Sequence, residues 1–149
     1  MQLRAPLDFY AVTDHAMFLG AVKEAADTTT EFSRYDHVQG LHNLNAPENQ
    51  NFDSIPDRGA AFTTFLPDTL AKVGDGSIDP DLVNQIAKDA WSDTIRAAEA
   101  FNDPGNFTTF VAYEFTSSTD DRGNLHRNVI FQGADRLPAC LLYTSPSPR

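Results

Sequence analysis

Apolar and polar positions alternate in three short stretches of this chain and recur at helical spacing in others. Leu7 to Thr13 (LDFYAVT) places Leu7, Phe9, Ala11 and Thr13 on one face, and Asp8, Tyr10, Val12 and Asp14 on the other. Little of it is polar before Asp14, which predicts a strand covered on both faces, starting after Pro6. Ala16 to Ala26 (AMFLGAVKEAA) predicts a short helix with Phe18, Val22 and Ala25 or Ala26 on one side. Strand, polar end, then helix is the βα unit of an α/β fold. Asp27 to Phe52 is poorly patterned, and the amide- and proline-rich Asn43 to Asp57 reads as a long loop. Gly59 to Val73 predicts a weak helix interrupted at Pro67, followed by a turn at Gly74 to Ser77.

The strongest helical pattern runs from Asp81 to Phe101. Leu82, Ile86, Ala90 with Trp91, Ile95, Ala98 and Phe101 recur at its spacing. Asp79 suits the N-cap, Pro80 the first turn, and Asp81 the positive end of the helix dipole. Trp91 is read as packing, since a large aromatic on an apolar helix face is core material. Asn102 to Gly105 (NDPG) is a turn. Phe107 to Phe115 then predicts a second strand, Ser117 to Asn124 a polar loop with Gly123 as its flexible point, and His126 to Phe131 a third strand. The order β, α, long irregular segment, α, β, loop, β suits a right-handed parallel crossover between the first two strands.

Composition narrows the function classes. A chain of 149 residues is one domain at most, and 41% hydrophobic content is enough for a core. The net charge of −10 argues against nucleic acid and anionic membrane surfaces as partners. No apolar run is long enough to span a bilayer. A single cysteine, Cys140, gives no internal disulfide framework.

Candidate chemistry gathers at the strand ends, where ligands bind in open α/β sheets and barrels. Asp14 and His15 close the first strand, Glu114 lies at the end of the second, and His126 opens the third. Asp14 also fits a helix N-cap, and His126 fits a packed strand histidine. Glu114 stands among Val111, Ala112, Tyr113 and Phe115, so its carboxylate needs a partner, a metal or a cation such as Arg127. Carboxylate and imidazole at adjoining strand ends suggest a metal site. His37 and His42 are five residues apart, a poor clamp for a metal on one helix turn, and read as surface or loop histidines. Ser117 or Ser118 with His126 would make a nucleophilic pair, but there is no Gly-x-Ser-x-Gly elbow. No Gly-rich phosphate loop is present.

These residues carry a family resemblance. DFYAVTDHAMFLG resembles the second motif of the polymerase-and-histidinol-phosphatase (PHP) superfamily of metal-dependent phosphoesterases. VAYEFTSS resembles the later strand that presents a metal-bridging glutamate, and NLHRNVIF the next, with its histidine. The stretch from Ala100 to Phe131 is similar to an uncharacterised bacterial branch, domain of unknown function 3604. The resemblance implies a distorted seven-stranded β/α barrel holding up to three zinc, manganese or iron ions. It implies that His15 binds one metal, that Glu114 bridges two others, that His126 binds one of that pair, and that Asp14 orients a ligand. A small-molecule substrate is implied, its identity open.

The superfamily's opening His-x-His motif, its later histidine and its closing Asp-x-His have no counterpart here. Residues 1–139 are therefore expected to be an internal fragment of one PHP-like domain, a partial barrel of three strands with intervening helices. Alone, it is expected to bind metal weakly and not to catalyse. Cys140 to Arg149 (CLLYTSPSPR) resembles a translated sequencing adapter and is set aside from fold reasoning. Two other readings stay open: an acidic, metal-free binding module or degenerate paralogue, and a metal-dependent ester or amide hydrolase.

Overall fold

The computed structural model describes residues 7–44, 46–119 and 123–141. Its elements in chain order are β1 (Phe9–Ala11), α1 (Ala21–Ala26), α2 (Ile55–Gly74), α3 (Pro80–Phe101), β2 (Thr108–Phe110), β3 (Ala112–Thr119) and β4 (Gly123–Ile130), with four short 3-10 helices between α1 and α2. The mixture of helix and strand is that of the expected α/β class, in small sheets. The chain divides into two compact units, one formed by Met1–Leu19 with Ala87–Arg149, the other by Gly20–Ile86.

In the first unit, β1 pairs in parallel with β2, Phe9 facing Thr108 and Ala11 facing Phe110. Beyond a gap the same register resumes, for His15 forms an isolated parallel bridge to Glu114. β3 and β4 form an antiparallel hairpin in which Ala112 faces Ile130 and Thr116 faces His126. The stretch from Phe107 to Phe115 is therefore two strands broken at Val111, not one. Val111 is buried, and its carbonyl accepts from the amide of Phe131 at 2.9 Å. The hairpin also runs further into the polar segment than its hydropathy suggests. Ser117 to Thr119, read as loop, are paired strand residues. Their main chain pairs in the hairpin ladder, so a polar sequence stays extended. Gly123, expected as the flexible point of that loop, and Asn124 are paired residues of β4, facing Thr119 and Ser118; residues 120–122 lie outside the described residues.

Trp91 is the centre of this unit's core, with Val111 and Leu141 buried beside it. Its indole N–H donates to the Pro138 carbonyl at 2.8 Å. Tyr113 meets its ring edge-on at 6.0 Å between centroids, and Phe131 lies at 6.1 Å. Alternation along β3 turns Tyr113 to this core and leaves Glu114 and Thr116 for the opposite face. The buried stripe of α3 runs through Val83, Ile86, Ala87 and Trp91, with Ile95 and Ala98 partly buried. Phe101, expected to continue it, is 71% exposed. Of the tail set aside on sequence grounds, Cys140 and Leu141 are described, and Leu141 is buried against Trp91. Residues 142–149 lie outside the described residues.

In the second unit, α1 is only six residues long, against the eleven its sequence suggests. Phe18 and Gly20 adopt φ of 55° and 81°, left-handed values that prevent a helix from forming before Ala21. The poorly patterned stretch folds as 3-10 turns at Phe32–Arg34, Asp36–Leu41, Pro47–Asn49 and Phe52–Ser54. Phe32, Val38, Leu41, Phe65 and Thr69 are buried. Gly40 lies where a Cβ would stand 3.1 Å from the Cβ of Ala61, so a side chain there would crowd α2. α2 passes through Pro67 without ending. Phe65 and Thr69, on either side of that proline, are its buried anchors, and tertiary packing overrides the local penalty.

α3 starts as its sequence dictates. The Asp79 carboxylate accepts from the Asp81 amide at 2.9 Å, and Pro80 occupies the first position, where no amide is needed.

Candidate metal centre

The site is built on three neighbouring stretches of backbone in the first unit. Glu114 lies in β3. On one side of it, the segment after β1 is fixed by two main-chain bonds: Ala16 N–H donates to the Glu114 carbonyl at 2.9 Å, and Glu114 N–H donates to the Asp14 carbonyl at 2.8 Å. On the other side, β4 presents His126 opposite Thr116. Each stretch contributes one donor to a common face.

The three side chains meet. His15 Nδ1 lies 2.5 Å from Glu114 Oε2, and His126 Nδ1 lies 3.1 Å from the same oxygen. The two imidazole centroids are 5.2 Å apart. One donor atom from each residue falls within 4.8 Å of the others, a grouping able to hold a metal ion. The carboxylate is the more sheltered member, 20% exposed against 54% for His15 and 43% for His126.

Glu114 is neither at the end of its strand nor partnered by Arg127. It sits within β3, and His126 sits within β4 instead of opening it. Arg127 faces Phe115 in register, so alternation carries it to the other face of the hairpin. Desolvation pulls the Glu114 pKa upward. The hydrogen bond from His126, the charges of His15 and His126, and the Thr116 hydroxyl together outweigh it and hold the carboxylate below its ordinary value.

Asp14 enters through its main-chain carbonyl and is itself exposed. It does not cap α1, which starts seven residues later, after Gly20. His37 and His42 take no part in the cluster and are not surface groups. Both are half-buried: His37 Nε2 bonds Thr69 Oγ1 at 3.0 Å, and His42 Nε2 bonds the Ser33 carbonyl at 2.9 Å.

One member was missed in the sequence. Thr116 Oγ1 lies 2.6 Å from His15 Nδ1 and 3.3 Å from both His126 Nδ1 and Glu114 Oε2. The signal for it was period-two alternation, which puts Thr116 on the face of Glu114.

The donor set fits a divalent ion. Two ligands of one tetrahedral ion stand roughly 3.3 Å apart, given metal–ligand distances of about 2.0–2.1 Å. One donor atom from each residue lies within 4.8 Å of the others, close enough to draw in around one ion. Imidazole suits zinc, copper, iron and nickel, and carboxylate suits magnesium, calcium and manganese.

No curated protein and no solved structure matches this chain. A family model does, over residues 1–146, under the description "Protein of unknown function (DUF3604)". Since that match covers nearly the whole length, the chain belongs to the DUF3604 family.

Proposed function

We propose that the chain carries metal-binding strands of a metal-dependent hydrolase of the PHP type, acting on small phosphate esters. The observation that supports this reading is the convergence of His15, Glu114 and His126, from three neighbouring stretches of backbone, on one carboxylate oxygen. His15 and His126 would each hold the ion through a ring nitrogen, and Glu114 through its carboxylate. Glu114 is a carboxylate at neutral pH, its pKa held below the ordinary value by the neighbouring imidazoles, and takes a cation without first losing a proton. When bound, a divalent ion supplies Lewis acidity toward a phosphoryl oxygen and acidifies water.

The chain's own residues set the rest. The exposure of both imidazoles leaves one side of the cluster open to a small-molecule substrate. The PHP assignment and the zinc, manganese or iron preference rest on the likeness of DFYAVTDH, VAYEFTSS and NLHRNVIF to that superfamily's motifs. Asp14, beside His15, would orient a ligand from outside the coordination sphere. An ester or amide substrate would draw on the same chemistry.

Calorimetric titration with zinc and with manganese tests the reading, using the chain and its Glu114→Ala variant. Saturable binding that disappears in the variant is the expected result. Equal heats for the two proteins would overturn it.

A further inference from the structure

We infer that Thr116 is the positioning residue of this site, its hydroxyl aligning two imidazoles that come from separate backbone segments. The inference rests on the metal-centre reading above and deepens it. Among the described residues, Thr116 is the side chain beyond the three donors that touches all of them. Thr116 Oγ1 is 2.6 Å from His15 Nδ1, 3.3 Å from His126 Nδ1 and 3.3 Å from Glu114 Oε2.

The placement follows from the register. Thr116 lies two residues beyond Glu114 and so shares its face, and it stands directly across the hairpin from His126. A directly opposed pair keeps its Cβ atoms about 4.5–5.5 Å apart. His15 reaches the same hydroxyl from the segment bridged to Glu114, 101 residues away in sequence. A hydroxyl carries one proton and two lone pairs, so it can accept from an imidazole N–H while donating to the carboxylate.

Without that hydroxyl, each imidazole would lose a polar contact and keep the Glu114 carboxylate and the facing ring, and would turn more freely about its side-chain bonds. Both rings are about half exposed, so packing restrains them little. Partners that orient metal ligands cost about 10–100-fold in metal affinity when removed. Valine has the shape of threonine and keeps the β-branch favoured in a strand, so Thr116→Val removes the hydroxyl and little else. Serine restores the hydroxyl with a different shape.

The test measures two things on the wild type, Thr116→Val and Thr116→Ser, each shown to be folded by its thermal melt. The first is the 15N signals of the His15 and His126 rings in metal-free protein. The second is calorimetric zinc affinity. We expect Thr116→Val to shift both ring signals and to weaken zinc binding about 10–100-fold, and Thr116→Ser to restore both. Ring signals unmoved in Thr116→Val, or moved and not restored by Thr116→Ser, would overturn the inference. If wild-type protein binds no zinc, the metal reading fails by itself, and the ring signals still decide the role of Thr116.

Discussion

His15 and Glu114 are joined twice, by main chain and by side chain. The Ala16 and Glu114 amides on either side of the bridge pair with the Glu114 and Asp14 carbonyls. The imidazole then closes on the carboxylate at 2.5 Å. The position of one donor relative to the other is therefore set by backbone register, which side-chain rotation alone cannot undo. His126 is tied in less directly, across the hairpin and diagonal to Glu114.

That asymmetry separates His126 from its neighbour Arg127. His126→Ala removes a donor and should abolish saturable zinc binding while leaving the fold intact. Arg127→Ala changes a residue on the other face of the hairpin and should leave zinc affinity unchanged. Parallel calorimetric titrations check the pair. A large loss in Arg127→Ala would mean that the register of the hairpin differs from the one described.

Trp91 supports the site from behind. Its ring packs against Tyr113 and Phe131, residues of the hairpin and its exit, and its N–H is satisfied by Pro138. Trp91→Ala should destabilise the protein by about 3–5 kcal/mol, from lost burial and the cavity left behind. Trp91→Phe should cost less, though it leaves the Pro138 carbonyl without its donor. Urea midpoints of the two variants would rank them, and the reverse order would remove Trp91 from the centre of the core.

Asp79→Ala takes away the acceptor for the Asp81 amide and should cost about 1 kcal/mol, a fall of a few degrees in Tm. Asp79→Asn keeps an acceptor oxygen and should sit close to wild type. Thermal melts of both variants distinguish the cap from a general effect of charge.

His37 gives the second unit a pH dependence of predictable sign. Burial lowers its pKa below 6.5, helped by Lys72, while Asp68 and Asp36 pull the other way. Geometry agrees. Thr69 Oγ1 donates to the Phe65 carbonyl, so it accepts from His37 Nε2–H, and among the described residues the buried Nδ1 has no partner for a second proton. The unfolded chain thus binds more protons than the folded one below about pH 6.5. His37's contribution is fully present above that value and is lost as pH falls toward the depressed native value. Urea midpoints should therefore drop between pH 7.5 and 5.5, and His37→Gln should flatten the drop. An unchanged slope in the variant would assign the effect to other groups.

Much of this was legible in the sequence because it is local. The Asp79–Pro80 cap, the Trp91 face of α3 and the strands around Tyr10, Tyr113 and Val129 follow from spacing and turn chemistry within a few residues. His15, Glu114 and His126 stood out as polar residues in or beside apolar strands, and the structure brings the three together, though Glu114 and His126 lie within their strands and not at the ends. What failed was decided by contacts distant in sequence. Pro67 does not break α2, because Phe65 and Thr69 are buried beside it. Val111 breaks a continuous apolar run, and Ser117 to Thr119 extend as strand once β4 supplies their hydrogen bonds. His37 and His42 stand in the irregular stretch, as read, but are half-buried because Thr69 and the Ser33 carbonyl fold against them.

The sequence by itself determined which side chains alternate onto one face of each strand, because that period is built into the extended backbone. Only the tertiary structure decided that His15 should stand beside Glu114 and that Thr116 should touch all three donors. Those relationships depend on parallel register between segments about a hundred residues apart, and register is a property of the paired strands, not of either one alone.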